Sequence, residues 1–109
     1  MSLNKISSDE LYPTESFGPS VLGTLIYKVG DQTEFKGAYI TTNERIIMNV
    51  DMMGEDYRRV FAYTDIVDVY VNEKGLFIDF PDGMGKIAMV NIEDGDADEF
   101  VRYVKDKLK

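Results

Sequence analysis

Cysteine and histidine are both absent from the chain, so it has no thiol nucleophile, no disulfide, no imidazole base and none of the usual zinc or copper ligand sets. Tryptophan is missing too, and proline occurs only three times, at positions 13, 19 and 81. Basic side chains are few: 12 Lys and Arg against 20 Asp and Glu leave a net charge of −8. A phosphate backbone would meet a repulsive field, and no local basic patch offsets it, so nucleic acid is not expected as a partner. Long apolar runs are lacking as well. Nothing approaches the roughly 18 residues of a membrane span, and the acids and proline of the first twenty residues leave no room for a secretory apolar stretch. The expected setting is the cytoplasm, which the absence of cysteine suits.

What remains is a β-rich sequence of 109 residues, enough for one domain with one core. Its centre is Gly37 to Val50, where two β-branched runs, Ala38 to Thr41 and Ile46 to Val50, flank the polar turn Thr42-Asn43-Glu44-Arg45. Asn43 is the residue suited to a positive φ in a tight reversal. Ile46, Met48 and Val50 fall on one face and Asn49 on the other. Further strands are predicted at Val21 to Val29, with Gly23 marking a bulge or bend, and at Tyr57 to Ala62, Ile66 to Asn72, Leu76 to Phe80 and Lys86 to Ile92. Residues 1–13 read as a partly ordered lead-in to a single domain over 14–109.

After Asp94 the period changes. Ala97, Phe100, Val101, Val104 and Leu108 recur at helical spacing, with Asp94 or Asp96 as N-cap, acids in the first turn and lysines in the last. The fold class is therefore mainly β: a seven-stranded antiparallel meander capped by one C-terminal α-helix. The apolar stripe of the helix needs a surface to bury against, and the open end of the β-structure supplies it.

The glycine-strand-Thr-Asn-x-Arg-strand hairpin over Gly37 to Ile47, the Tyr63-Thr64-Asp65-Ile66 corner and the closing Asp96-Ala97-Asp98-Glu99-Phe100-Val101 resemble a bacterial pleckstrin-homology-like domain of the GRAM-like type, over roughly residues 14 to 108. The resemblance implies a PH-like barrel with a helix at one end. It also implies that loops 30–34, 51–56 and 81–85 gather at the opposite end, which would bring Met52, Met53 and Met84 to one rim. Family members that bind inositides carry basic residues across the first hairpin, ending in an Arg on the second strand. This chain has Lys28 and Lys36 but Ala38 where that Arg belongs.

No catalytic residue, metal site or cofactor is expected. The acids occupy turns and a helix start, not a cleft that would set two of them apart for acid–base work. Asp94-Gly95-Asp96-Ala97-Asp98 begins like a calcium loop, but Glu99 stands where glycine is needed and Lys105 where a bidentate Glu is needed. The sequence expectation is a non-enzymatic interaction module that binds protein, a second copy of itself included, through the adaptable Met rim or an unpaired sheet edge. The alternative is a membrane-surface adaptor that meets anionic headgroups with Lys28, Lys36, Arg58 and Lys86.

Overall fold

The computed structural model describes residues 3–29, 32–52, 54–81 and 86–108, with the backbone alone for 27–29, 32 and 52. Seven strands form one antiparallel sheet: β1 (Phe17–Val29), β2 (Gln32–Thr42), β3 (Arg45–Met52), β4 (Glu55–Ala62), β5 (Asp68–Asn72), β6 (Gly75–Asp79) and β7 (Lys86–Asp94). Helix α1 (Ala97–Lys107) follows. The spatial order is β4-β3-β2-β1-β7-β6-β5, so the meander wraps until its first strand pairs with its last. The ladder is not closed. No pairing joins β4 to β5 among the described residues, and the chain crosses between them through a 3-10 turn at Tyr63–Asp65.

β1 serves both halves of the sheet, pairing with β2 along its length and with β7 from Leu22 to Ile26. Leu22 pairs with Asp94 but Thr24 with Val90, so β7 carries extra residues there, and Asn91 takes a φ of 50° within them. Gly23 lies opposite. A Cβ on it would stand 2.8 Å from the Val90 carbonyl oxygen, which is why this position takes no side chain.

Ile46, Met48 and Val50 are buried on one face, together with Val21, Leu25, Phe35, Tyr39, Leu76, Ile78 and Met89. Helix α1 closes this core by packing on β1 and β5. Phe100, Val101 and Val104 supply its buried stripe, and Phe100 stacks on Tyr39 with ring centroids 5.7 Å apart. The start of α1 is fixed by Asp96, whose Oδ1 accepts from the amides of Asp98 (2.9 Å) and Glu99 (3.2 Å). Among the described residues no helix is long and apolar enough to cross a membrane.

The other face of the sheet is covered as well. Ala38, Ile40, Ile47 and Asn49 point away from the helix and are nevertheless buried. What lies there is the N-terminal segment 3–16, a strap with one 3-10 turn at Ser8–Glu10 whose Ser7 and Glu10 form a capping box.

Candidate functional site

The turn between β2 and β3 is the anchor of that strap. Thr42 Oγ1 accepts from the amides of Glu44 (3.1 Å) and Arg45 (3.0 Å), closing a hydroxyl-stabilised turn, and donates to Glu15 Oε2 at 2.5 Å. Asn43 accepts from the Ser16 amide at 2.7 Å and donates to the Thr14 carbonyl at 3.1 Å. Asn43 does not carry the positive φ that its place in a tight turn suggests. Asn91 is the one described non-glycine residue that does, and Asn43 instead spends its amide group on the strap.

Arg45 grips Glu15 with two bonds, Nε to Oε2 at 2.8 Å and Nη2 to Oε1 at 3.1 Å, and lies 4.3 Å over the Tyr12 ring. The Glu15 side chain is fully shielded from water. Its hydrogen bond to Arg45 outweighs burial and, with help from the Thr42 hydroxyl, holds the carboxyl down at about 2. Arg45 is raised in turn by the same bond. Tyr63 donates its hydroxyl to the Thr42 carbonyl at 2.6 Å, and burial pushes its own ionisation well above the usual tyrosine range. The Thr-Asn-x-Arg signature is thus a clamp, and no ligand is needed to explain it.

A cleft of about 570 Å³ opens beside the strap between Leu3, Ile6, Glu10, Asn49, Tyr57 and Arg58. Arg58 crosses its floor, donating to Asn49 Oδ1 at 2.8 Å and to Glu10 Oε1 at 2.5 Å. That bond to Arg58 also pulls the Glu10 carboxyl below its ordinary range.

A second opening, about 430 Å³, lies at the unclosed seam. It is lined by Arg59, Val60, Phe61, Thr64, Asp65, Phe80, Pro81 and Ile87. Phe61 is nearly buried and meets Phe80 with centroids 5.0 Å apart, so the seam is shut by side chains where the ladder is missing. Beside it runs β4, exposed at every residue except Phe61. Tyr57 at 45% and Val60 at 47% are among the most exposed large apolar side chains of the protein.

The sequence-predicted residues are not brought to one site. Met53 and Met84 lie outside the described residues, and Met52 ends β3 with only its backbone described. Lys28 is in β1, again described by backbone alone. The other three cations sit on three different strands and each has an acid of its own: Lys36 with Glu93 at 3.2 Å, Arg58 with Glu10, and Lys86 with Asp79 at 4.0 Å. Lys86 also donates to the Tyr70 hydroxyl at 3.2 Å, which raises its ionisation. The sequence reading did not single out Val60, Phe61 or Arg59. Their signal was the mixture of charged and apolar residues in β4 with no clean alternation, the mark of a strand with little buried on either face.

Among the described residues no group of acids, histidines or cysteines is arranged to hold a metal ion. No curated protein matches the chain. The family model described as "Bacterial PH domain" matches residues 19–106, a span that runs from β1 through the last full turns of α1. With its seven antiparallel strands and closing C-terminal helix, the chain belongs to the bacterial PH domain family.

Proposed function

We propose that the chain is a non-catalytic PH-type interaction module, working in the cytoplasm, that binds protein through the free edge of β4 and the apolar seam beside it. The observation that carries this reading is β4 itself, an eight-residue edge strand left open next to a cleft floored by Phe61, Phe80 and Ile87. An unpaired edge offers a row of backbone donors and acceptors to an incoming strand, and an adjoining apolar cleft takes its side chains. In the sequence Met52 and Met53 stand at the junction of β3 and β4, and such side chains suit a forgiving interface.

The cation pairing described above speaks against a headgroup site, because each described candidate is already neutralised by a carboxylate and the whole molecule carries −8. The test compares the wild type with Tyr57→Asp/Val60→Asp in two assays. Protein captured from lysate by the wild type and lost with the double variant supports the reading. Equal capture by both removes the edge from it. Strong retention of the wild type on phosphatidylserine vesicles at low salt replaces a protein partner with a membrane.

A further inference from the structure

We propose that β4 pairs with β4 of a second copy of this chain, antiparallel, about a two-fold axis through Tyr57. This deepens the edge-binding reading by naming its partner. The argument begins with the order of charges. Along β4 the residues run Glu55-Asp56-Tyr57-Arg58-Arg59-Val60. In an antiparallel pair centred on Tyr57, Glu55 stands opposite Arg59 of the second copy and Asp56 opposite Arg58, and the symmetry repeats both contacts on the other side of the axis.

The neighbouring centres fail, those on a residue by charge and those between two residues because they set an outward-bonding position opposite an inward-bonding one. Moving the axis to Arg58 sets Arg58 against itself, moving it between Arg58 and Arg59 sets those two arginines against each other, and moving it to Asp56 sets two carboxylates in contact. Like charges directly opposite are destabilising, so the strand selects one register against its neighbours. Charged residues on an edge strand ordinarily prevent pairing, but a run of one sign does that best. Both signs in two-fold order do the reverse, since they repel a slipped copy and accept an aligned one.

The hydrogen-bond geometry agrees with this axis. β3 and β4 are joined by a two-residue loop, with Met52 opposite Glu55 and Gly54 at a φ of 86°. Such a loop closes on a hydrogen-bonded pair, and bonding then alternates, so residues 56, 58 and 60 direct their backbone groups to the free edge. A two-fold axis at Tyr57 pairs Asp56 with Arg58 of the second copy, both outward-bonding positions, and leaves the two Tyr57 side chains face to face at the close, non-hydrogen-bonded spacing.

The charges are also available. Among the described residues, Glu55, Asp56 and Arg59 have no ion-pair partner, and Arg59 lies 5.4 Å from the Phe61 ring at the mouth of the seam. Asp56 faces Asp51 across the hairpin, an unfavourable pair. Arg58 of the second copy keeps Glu10 and Asn49 of its own chain and would meet Asp56 as a shared cation, so Glu55 with Arg59 is the pair that forms without a competing partner. At physiological ionic strength the Debye length of about 8 Å screens the mutual repulsion of two molecules at −8 while sparing contact pairs.

The chain has no cysteine, which makes the register directly testable. Non-hydrogen-bonded antiparallel partners have Cα atoms about 4.5 Å apart, within the range a disulfide spans. Tyr57→Cys should form a covalent dimer under a glutathione buffer at least about tenfold faster than Val67→Cys, a more exposed position away from β4. Glu55→Cys and Arg59→Cys should each remain monomeric alone and cross-link when mixed. By sedimentation at physiological salt, Arg59→Glu should weaken association of the otherwise wild-type chain, and adding Glu55→Arg to it should restore it. A Tyr57→Cys rate equal to that of Val67→Cys, or a charge swap that fails to rescue, overturns the proposal. If self-pairing fails while Tyr57→Asp/Val60→Asp still abolishes capture of a different protein, the edge-binding reading stands without it. If neither responds, both fall.

Discussion

Glu15 is the residue on which the strap depends. Its side chain is shielded from water and shared between Arg45, Thr42 and the Tyr12 amide, so Glu15→Gln leaves a guanidinium facing a neutral amide at a mostly buried site. The expected cost is about 2 to 3 kcal/mol, read from urea midpoints near pH 7. The pH dependence follows from the direction of the shift. A carboxyl held at about 2 in the folded chain and at its ordinary value when unfolded contributes stability that is complete above roughly pH 5 and fades as pH falls toward 2. The difference between wild type and Glu15→Gln should therefore shrink through that window. A constant difference would show that the carboxylate's charge contributes nothing.

Among the elements, α1 is the one the sequence declared most clearly, because five apolar residues recur at helical spacing, and of the two N-cap candidates, Asp94 and Asp96, the structure uses Asp96. Phe100→Ala should cost about 3 to 5 kcal/mol, since the ring is fully buried against Tyr39, and calorimetry should register a fall in Tm of more than about 12 °C. The strands were legible in number and order, and the faces of β3 were legible from Ile46, Met48 and Val50. The burial of Ile47 and Asn49 on the opposite face was not. Alternation reports which face meets the core, and it is silent when a second layer comes from a segment without periodicity. The strap has none, because main-chain and side-chain polar bonds hold it: Leu3 by its carbonyl to Asn49, Asn4 by its amide to Asp94, Thr14 and Ser16 through Asn43. The edge character of β4 was concealed for a different reason, since a strand exposed on both faces has no pattern to read.

At the scale of the whole molecule, the strap makes β2 and β3 a buried middle layer. Removing residues 1–16 would bare Ala38, Ile40 and Ile47 and strip Arg45 and Arg58 of their carboxylates at once. The shortened chain should melt at least about 10 °C lower and bind a hydrophobic dye in its native state, and an unchanged melt would show that the strap is ornamental.

The pairing of β1 with β7 has a consequence for how the chain reaches this state. Leu22 meets Asp94 across 94 − 22 = 72 residues, whereas β2, β3 and β4 find one another through short reversals. Local hairpins assemble early, but the strand at the centre of the sheet waits for the seventh strand of the domain, and such distant closures set slow rates, in milliseconds to seconds. Until β7 arrives, β1 offers one bare edge to whatever is nearby. A nascent chain paused before Lys86 is therefore the form of this protein most exposed to chaperone capture and to mispairing with its own kind.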